Sequence, residues 1–368
     1  MRVLVVNAGS SSLKLAVLDD GGLIAGAHTI QRWDGAGSGA PLSDFLDGCG
    51  PVDVVGHRVV HGGPDHTGPA RVDAELTGYL ESISHLAPLH NPRALAAIAA
   101  VGKLLPSVPA VACFDTTFHA ALPAPARTYA VPRDWTRRWG LRRYGFHGLS
   151  HAYAVRRGAE LAGRPVEELR IVSCHLGAGA SLAAVQNGRS VDTTMGFTPL
   201  AGLVMNTRPG TLDPGLLLWL LQHAEVPIAE LDDVLEHSSG LRGLSGTSGD
   251  LREVLVAREA GDADSALAFE VYLHRLAREA AAMTAAVSGL DLLVFTGGVG
   301  EHSWQVRGGL GEALGYLGVA VDDAANHRMT ADGDITAPGA AVRTVVVTAR
   351  EDLEIRRQVG ELFGDERE

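Results

Sequence analysis

The sequence predicts an α/β fold built from two similar domains. Its 368 residues correspond to about two domains at roughly 150 residues each. A short apolar strand, a turn of small residues and a second strand occur together twice, first from Val3 and again from Ile171. Around these hairpins, short apolar runs alternate with longer amphipathic ones, which is typical of strands that alternate with helices.

The two predicted hairpins indicate an internal duplication. The paired segments are 3–6 with 13–18, and 171–174 with 182–185. In this alignment Asn7 matches His175 and Gly9 matches Gly177. Each tip consists of small residues that expose backbone N–H groups. We therefore expect two facing hairpins that clamp a phosphate, although small-residue tips also occur in ordinary turns.

Later segments continue the alternation of strands and helices. Further strands are predicted over 56–63, 291–295 and 345–347, and helices over 91–105, 149–161, 214–222, 265–288 and 351–362. A glycine turn at 297–300 opens a helix and lets the backbone approach a ligand closely. This turn does not match the dinucleotide fingerprint, and no Walker A sequence occurs. A P-loop or Rossmann enzyme is therefore disfavoured.

Composition excludes several classes of protein. Acidic residues outnumber basic ones by 43 to 31, for a formal charge of -12, and no basic stripe could follow a phosphate backbone. We therefore expect no nucleic-acid partner. Cys49, Cys113 and Cys174 form no C-x-x-C pair, and no run of about 18 apolar residues occurs. A cytoplasmic protein without disulfides or a membrane span is predicted.

The strand predicted over 56–63 presents a cation beside an apolar wall. Alternation places Arg58 and Val60 on one face and His57, Val59 and His61 on the other. Arginine for the charge and valine for the alkyl tail would suit a small carboxylate. Two histidines alone are too few for a metal site. We therefore interpret His57 and His61 as structural.

Nine segments, in this order, resemble the acetate kinase family. They are 5–14 (VVNAGSSSLK), 56–63 (GHRVVHGG), 86–92 (LAPLHNP), 114–119 (FDTTFH), 142–148 (RRYGFHG), 191–200 (VDTTMGFTPL), 207–208 (TR), 298–301 (GVGE) and 351–353 (EDL). Together they extend nearly from end to end of the chain and across both halves.

The resemblance implies the fold of the sugar kinase, actin and chaperone ATPase superfamily. That fold has two duplicated actin-like ATPase domains, of the ribonuclease H-like type, with a nucleotide cleft between them. The first domain would comprise residues 1–120, completed by a C-terminal helix at 352–368. The second would comprise residues 121–351 and hold the adenosine pocket.

The resemblance also implies a reaction. A kinase of this family transfers a phosphoryl group from ATP to acetate, or to a similar short-chain carboxylate, and gives an acyl phosphate and ADP. Transfer is direct, in line and reversible. The implied cofactor is Mg²⁺, with Mn²⁺ as a possible substitute, and the implied assembly is a homodimer. Acetate is already ionised at pH 7, so the site must neutralise charge and align the reacting atoms rather than supply a base.

Matching motifs carry the family's residue roles onto this chain. Arg58, Asp115, His147 and Arg208 would be catalytic: the arginines bind the carboxylate and the phosphoryl group, Asp115 orients an arginine or the metal, and His147 stabilises phosphoryl oxygens. The carboxylate pocket would comprise Arg58, Val60, Leu89, Phe146 and Pro199; the metal site, Asn7 and Glu351; and the nucleotide site, Ser10, Ser12, Lys14, His175, Gly177, Gly179, Asp250, Arg252, Gly298, Val299 and Gly300.

Simpler interpretations stay open for some of these residues. Asp115 could pair with a surface arginine, and His147 could be a satisfied core histidine. Val60, Leu89 and Phe146 could belong to the core, where apolar residues normally lie.

The chain departs from the family pattern at five positions. Ala178 replaces an asparagine, Asn206 a glycine, Pro209 a serine, Thr211 an aspartate and His302 an asparagine. Position 178 therefore lacks a polar ligand, whereas Asn206 can still adopt the left-handed backbone that glycine would supply. Two alternatives to an ordinary acetate kinase stay open: a relative with another carboxylate or phosphoryl donor, and a weakened nucleotide-binding regulatory protein.

Overall fold

The computed structural model describes residues 1–9, 12–19, 21–31, 33 and 40–364. These residues form two six-stranded mixed sheets together with helices. The strands are β1 (Val3–Ala8), β2 (Ser12–Leu18), β3 (Ile24–Gln31), β4 (Val54–Val59), β5 (Ala70–Arg71), β6 (Ala110–Phe114), β7 (Arg170–Leu176), β8 (Ala180–Gln186), β9 (Arg189–Thr193), β10 (Leu292–Thr296), β11 (Gly333–Asp334) and β12 (Arg343–Val346). The α-helices are α1 (Ala40–Cys49), α2 (Ala74–Ser82), α3 (Asn91–Leu104), α4 (Ala124–Arg127), α5 (Arg133–Trp139), α6 (Gly148–Ala162), α7 (Pro214–Gln222), α8 (Ile228–Asp233), α9 (Gly240–Ser245), α10 (Leu251–Glu259), α11 (Ala263–Ala286), α12 (Gly297–His302), α13 (Trp304–Ala313), α14 (Asp323–Arg328) and α15 (Glu351–Gly364).

The first sheet has the strand order β3-β2-β1-β4-β6-β5. Strands β1, β4 and β6 run parallel. Strands β2 and β3 continue the sheet antiparallel on one side, and the short β5 pairs antiparallel with β6 on the other. The β1–β2 hairpin closes where Gly9 N–H donates to Ser12 O at 2.8 Å.

The second sheet repeats this topology strand for strand. Its order is β9-β8-β7-β10-β12-β11, in which β7, β10 and β12 are parallel and the three other strands are antiparallel to their neighbours. The β7–β8 hairpin closes where Gly177 N–H donates to Gly179 O at 3.0 Å. The prediction of two similar α/β halves, each opening on a hairpin, is confirmed.

Alternation along β1 explains how the first sheet buries both faces. Val3 and Val5 point to one side, where they pack with Ile355 of α15. Leu4 points to the other side, in a cluster that includes Ala97 of α3. Because side chains alternate along a strand, an uninterrupted apolar run is what a sheet covered on both faces requires.

The chain divides into two compact units. The first contains the described residues of Met1–Ala120, Phe146–Tyr153 and Arg350–Glu368, and the second contains Ala121–Gly145 and Ala154–Ala349. The sequence-based second domain, 121–351, differs from these units because 146–153 and 350–351 lie in the first. Gly148 N–H donates to Asp115 O at 2.8 Å, and Leu149 joins the core beneath α15, which ties this segment to the first sheet. The domain boundaries themselves stay a prediction.

Two local predictions have different outcomes. The helix predicted over 214–222 is confirmed as α7, in which Asp213 caps the first turn and Pro214 occupies the first position. The strand predicted over 56–63 is too long, because β4 ends at Val59. Beyond Val59 the backbone N–H groups of His61 and Gly62 donate to the side chains of Asn91 and Thr116 instead of to a neighbouring strand. None of the described helices is long and apolar enough to cross a membrane.

Candidate active site

Polar side chains stand where the parallel strands of the first sheet end. Asn7 and Arg58 are register partners on β1 and β4, and Asn7 is also paired with Lys14 across the β1–β2 hairpin. Asp115 directly follows β6 on the same side. Directly opposed residues share one face of a sheet, and in open α/β sheets ligands bind at the carboxyl ends of parallel strands. The structure thus brings four of the predicted site residues together.

The Arg58 guanidinium is held by two of these side chains, Asp115 and Asn7, through all three of its nitrogens. Its Nη2 donates to Asp115 Oδ2 at 2.6 Å and its Nε to Asp115 Oδ1 at 3.1 Å, while Nη1 donates to Asn7 Oδ1 at 3.0 Å. Burial alone would lower the pKa of Arg58, but the Asp115 carboxylate, with Glu351, raises it. Asp115 is only 1% exposed, which excludes the simpler interpretation of a surface ion pair.

Glu351 stands at the first residue of α15 and faces the same cluster. Asn7 Nδ2 donates to its Oε2 at 3.4 Å. The other carboxylate oxygen, Oε1, has no hydrogen-bond partner among the described residues. The two predicted metal residues are therefore neighbours, and one oxygen of the pair is available to a further ligand.

His147 lies at the entrance to α6 in an unusual backbone conformation. Its φ is 57°, in the left-handed region that non-glycine residues rarely adopt and that histidine tolerates better than most. The next residue, Gly148, donates its N–H to Asp115 O, and His147 O accepts from His151 N at 2.9 Å. Backbone hydrogen bonds therefore hold His147 beside the loop that carries Asp115.

The predicted carboxylate pocket draws on apolar residues of different exposure. Val60 and Phe146 are buried in the first unit, whereas Leu89 is 37% exposed. The Phe146 ring meets His61 edge to face, with 5.4 Å between ring centroids. Pro199, the fourth apolar residue, belongs to the second unit.

His57 and His61 behave as buried neutral histidines. Burial lowers the pKa of His57 to about 3. Burial, and then the charge of His85, lowers the pKa of His61 to about 4. His61 Nδ1 accepts a hydrogen bond from Gly63 N–H at 2.9 Å, as an unprotonated ring nitrogen must. These features agree with the structural interpretation.

Arg208 is anchored within the second unit. Its Nη1 donates to Pro199 O at 3.0 Å, which brings two predicted site residues together. Its own carbonyl accepts from Met205 N–H at 3.0 Å. Burial lowers the pKa of Arg208, and Glu236 partly opposes this effect. Among the described residues Arg208 forms no ion pair, so Glu236 compensates its charge only through space.

A cavity of about 620 Å³ lies within the second unit. Five predicted nucleotide residues line it: Gly177, Asp250, Arg252, Gly298 and Val299. The turns at Gly177 and Gly298 approach each other closely. Asp250 caps α10 and binds the Arg252 guanidinium, with 3.0 Å between Oδ1 and Nε.

The other predicted nucleotide residues lie elsewhere. His175, Gly179 and Gly300 are on β7, at the hairpin tip and in α12, and they are not among the described residues that line the cavity. Ser12 and Lys14 belong to the hairpin of the first unit. The prediction for Ser10 falls outside the described residues.

Several cavity residues were not predicted as ligands. Ala178, Asn206 and His302, noted in the sequence only as departures from the family pattern, all line the cavity. Val256 and Trp304 also line it and are exposed. The signal for Val256 was its position one helical turn after Arg252, because residues four apart share a face of a helix. Trp304 carried no sequence signal other than its size.

The comparison with known families decides the relationship. Residues 45–357 match the profile of the Acetokinase family. The chain belongs to the Acetokinase family. A curated acetate kinase from Gloeobacter violaceus is 48% identical over 308 residues, which cover 83% of this chain and 76% of that protein.

Solved structures of Acetokinase relatives agree with this fold over its whole length. Porphyromonas gingivalis acetate kinase matches with a TM-score of 0.91 at 32% identity, covering 98% of this chain and 99% of that chain. A propionate kinase from Francisella tularensis matches with a TM-score of 0.89 at 31% identity, covering 97% and 98%. The predicted family, the two-domain actin-like fold and the reaction class are confirmed: this Acetokinase member is a phosphotransferase that uses ATP and acts on a carboxylate.

Proposed function

We propose that this chain transfers the γ-phosphoryl group of ATP to acetate, or to a similarly short carboxylate, in a reversible reaction. A carboxylate oxygen forms a bond to the γ-phosphorus while the bond to the β–γ bridging oxygen breaks. The electron pair of that bond leaves with ADP, and no proton is transferred. The observation that carries the proposal is Arg58, held charged by Asp115 at the carboxyl end of the parallel strands.

Charge neutralisation is the main task of such a site. Both reactants are anions at pH 7, so their approach is opposed by repulsion, and fixed cations lower that barrier. Arg58 suits this role because Asp115 and Asn7 fix its orientation. Arg208, fixed on Pro199 O, supplies the second cation. His147 donates a hydrogen bond to the phosphoryl oxygens.

Mg²⁺ is the cofactor we propose, and Asn7 and Glu351 fit it. Mg²⁺ usually takes one or two carboxylates, keeps several waters and binds substrate phosphates. The open Oε1 of Glu351 and the adjacent Asn7 amide suit that pattern, even though the described residues contain no group of three or more acidic, histidine or cysteine ligands. When bound, Mg²⁺ supplies charge neutralisation at the phosphates. Mn²⁺ prefers similar oxygen ligands and is the proposed substitute.

The cavity of the second unit suits the nucleoside part of ATP. The small-residue turns at Gly177 and Gly298 let phosphates approach the backbone closely, and Val256 and Trp304 offer apolar surface to a base. A volume of about 620 Å³ is within the usual range for a small-molecule site.

The size of the carboxylate can be measured directly. Similar structures include both an acetate kinase and a propionate kinase. A coupled assay of ADP release, run with formate, acetate, propionate and butyrate against ATP, GTP and pyrophosphate, tests it. We expect the highest kcat/KM with acetate or propionate and ATP.

Two outcomes of this assay would redirect the assignment. Preference for pyrophosphate or for a longer carboxylate would favour the divergent relative. Nucleotide binding without turnover of any pair would favour the regulatory protein. Inactive Arg58→Ala, assayed beside the wild type, shows whether turnover comes from this site or from a contaminant.

We also propose a cytoplasmic homodimer. The three cysteines are free thiols, as a reducing compartment favours. Leu216, Leu218 and Trp219 of α7 are each about half exposed, an apolar face of the kind that a second copy covers. Light scattering should give twice the chain's mass. Trp219→Glu should shift the population to monomer, whereas Trp135→Glu, at another exposed tryptophan, tests whether any charged substitution has that effect.

A further inference from the structure

Asn206 stands beside Ala178 on the wall of the nucleotide cavity. Both residues line the cavity, and Asn206 N–H donates to Ala178 O at 3.2 Å. Asn206 O in turn accepts from Arg242 N–H at 2.9 Å. The backbone of Asn206 is therefore fixed on both sides, and its position relative to the tip of the β7–β8 hairpin is defined.

The side chain of Asn206 is the part that has no structural task. Its carboxamide has no hydrogen-bond partner among the described residues. The backbone does not need the residue either, because Asn206 is not among the non-glycine residues with positive φ. Asn206 therefore does not use the left-handed backbone that asparagine can adopt. An amide that neither caps nor turns the chain is available to a ligand.

Ala178, which is bonded to Asn206, has no polar side chain of its own. Alanine presents only a methyl group, so the hairpin tip itself offers no polar side chain at that position. Because a backbone hydrogen bond joins the two positions, the Asn206 amide lies beside the tip residue that has no polar side chain.

The lining of the cavity combines two kinds of surface. The small-residue turns that contain Gly177 and Gly298 lie close together and let phosphates approach the backbone. Val256 and Trp304 provide apolar surface that suits a planar base. Asn206 belongs with the small-residue turns because it is bonded to the hairpin tip.

We infer that the Asn206 carboxamide donates, through Nδ2, to a phosphate oxygen of the bound nucleotide and provides the polar side chain that Ala178, beside it, does not have. This inference rests on the proposed function. A hydrogen bond to a charged oxygen corresponds to about tenfold to hundredfold in affinity.

Calorimetry with ADP and with adenosine, in the absence of carboxylate, tests the inference directly. Asn206→Ala should weaken ADP binding about tenfold or more and leave adenosine binding unchanged, because adenosine has no phosphate. Asn206→Asp, which keeps the size but adds repulsion, should weaken ADP binding further. Val256→Ala, a truncation of the apolar lining of the same cavity, is the matched control, and it should weaken both ligands alike.

A reciprocal exchange gives a second test. In the Asn206→Gly background, Ala178→Asn should restore ADP affinity to within about threefold of the wild type. In the wild-type background the same substitution should bring little gain, because the amide is already present. Trp304 lines the same cavity, so its fluorescence offers an independent measure of occupancy.

The outcomes separate this inference from the function on which it rests. Unchanged ADP affinity in Asn206→Ala, beside normal binding by the wild type, overturns the inference alone, as does an equal loss for ADP and adenosine. Failure of the wild type to bind any adenine nucleotide overturns the proposed function and the inference with it. Unfolding midpoints of the variants within a few degrees of the wild type show that losses do not come from misfolding.

Discussion

Arg58 keeps its charge at the end of a buried strand because a carboxylate of the same unit faces it. Asp115 contacts two guanidinium nitrogens, and Asn7 contacts the third. An arginine fixed in this way loses little side-chain freedom when an anion arrives. Asp115 therefore acts on the reaction through Arg58, as a positioning residue rather than a base.

Removing this cation should affect activity far more than stability. Arg58→Ala should lower kcat/KM at least about a hundredfold, which corresponds to ~3 kcal/mol of transition-state stabilisation. Arg58→Lys should not restore it, because an ammonium group cannot make the two-nitrogen contact with Asp115. Steady-state kinetics measure the effect, and Arg137→Ala on exposed α5 is the control. Near-normal turnover in Arg58→Ala would remove this residue from the site.

Val60 lies two residues after Arg58, so we expect its side chain to limit the size of the carboxylate that binds there. Val60→Ala should favour propionate and butyrate over acetate, because space for one methylene against an apolar wall corresponds to ~1–3 kcal/mol. The ratio of kcat/KM values for propionate and acetate measures it. Val101→Ala, a truncation in the core cluster that α3 forms with β1 and β2, should lower stability without changing that ratio. An unchanged ratio in Val60→Ala would assign Val60 to the core alone.

Helix α6 contacts the loop after β6 closely through Gly148, its first residue. Gly148 N–H donates to Asp115 O, and a Cβ at this position would collide with that carbonyl and with Phe118. The close approach therefore requires glycine. Because His147 and Asp115 lie on the two sides of this contact, the helix start fixes both residues at once.

Two helical glycines should respond oppositely to the same substitution. Gly148→Ala should destabilise the fold and reduce kcat together, since it displaces the Asp115 loop. Gly102→Ala, in α3 with open space around the new methyl group, should stabilise the fold by about 0.5–1 kcal/mol. Urea unfolding of both variants, beside their kinetics, provides the comparison. A neutral Gly148→Ala would mean that the loop shifts without cost.

An element could be predicted from the sequence where the residues that cause it are near one another in the chain. The two hairpins could be predicted from alternating apolar residues and small-residue tips. Helix α7 could be predicted from Asp213 at its N-cap and Pro214 at its first position. These signals each lie within a few residues. The end of β4 could not be predicted, because the backbone beyond Val59 bonds to the Asn91 and Thr116 side chains, which are distant in the sequence. Site residues in matched motifs could be placed by resemblance, whereas the exposed Trp304 could be found only from the folded cavity.

At the scale of the whole molecule, buried histidines make stability depend on pH. The pKa of His57 is lowered to about 3 by burial, so its neutral form is favoured in the folded state. Its stabilisation is fully present above the ordinary histidine pKa of about 6.5. It is lost as pH falls toward 3, because the unfolded chain takes up the proton first.

Replacing this histidine should flatten the acid side of the stability profile. Between pH 7 and pH 5, His57 alone accounts for about 2 kcal/mol of lost stability. His57→Gln should be less stable than the wild type at pH 7 but should lose about that much less on acidification. Urea unfolding at both pH values measures the difference, with the exposed His237→Gln as control. Equal losses for His57→Gln and the wild type would contradict a neutral, buried His57.

The first unit is closed by α15, the last of the described helices. This arrangement affects the order in which the units are completed during synthesis. Val3, Val54 and Val111 lie on the sheet face that α15 covers. On the ribosome, that face is complete once β6 has been made at Phe114, but its cover begins only at Glu351. At ~5–20 residues per second the interval is roughly 10 to 50 s.

During that interval the nascent chain carries an uncovered apolar sheet, whereas the second sheet receives its last strand, β12, before α15 is made. Exposed apolar faces of this kind favour aggregation and chaperone binding. The unit that begins the chain is thus the last to be finished, and slow or interrupted synthesis would leave it open.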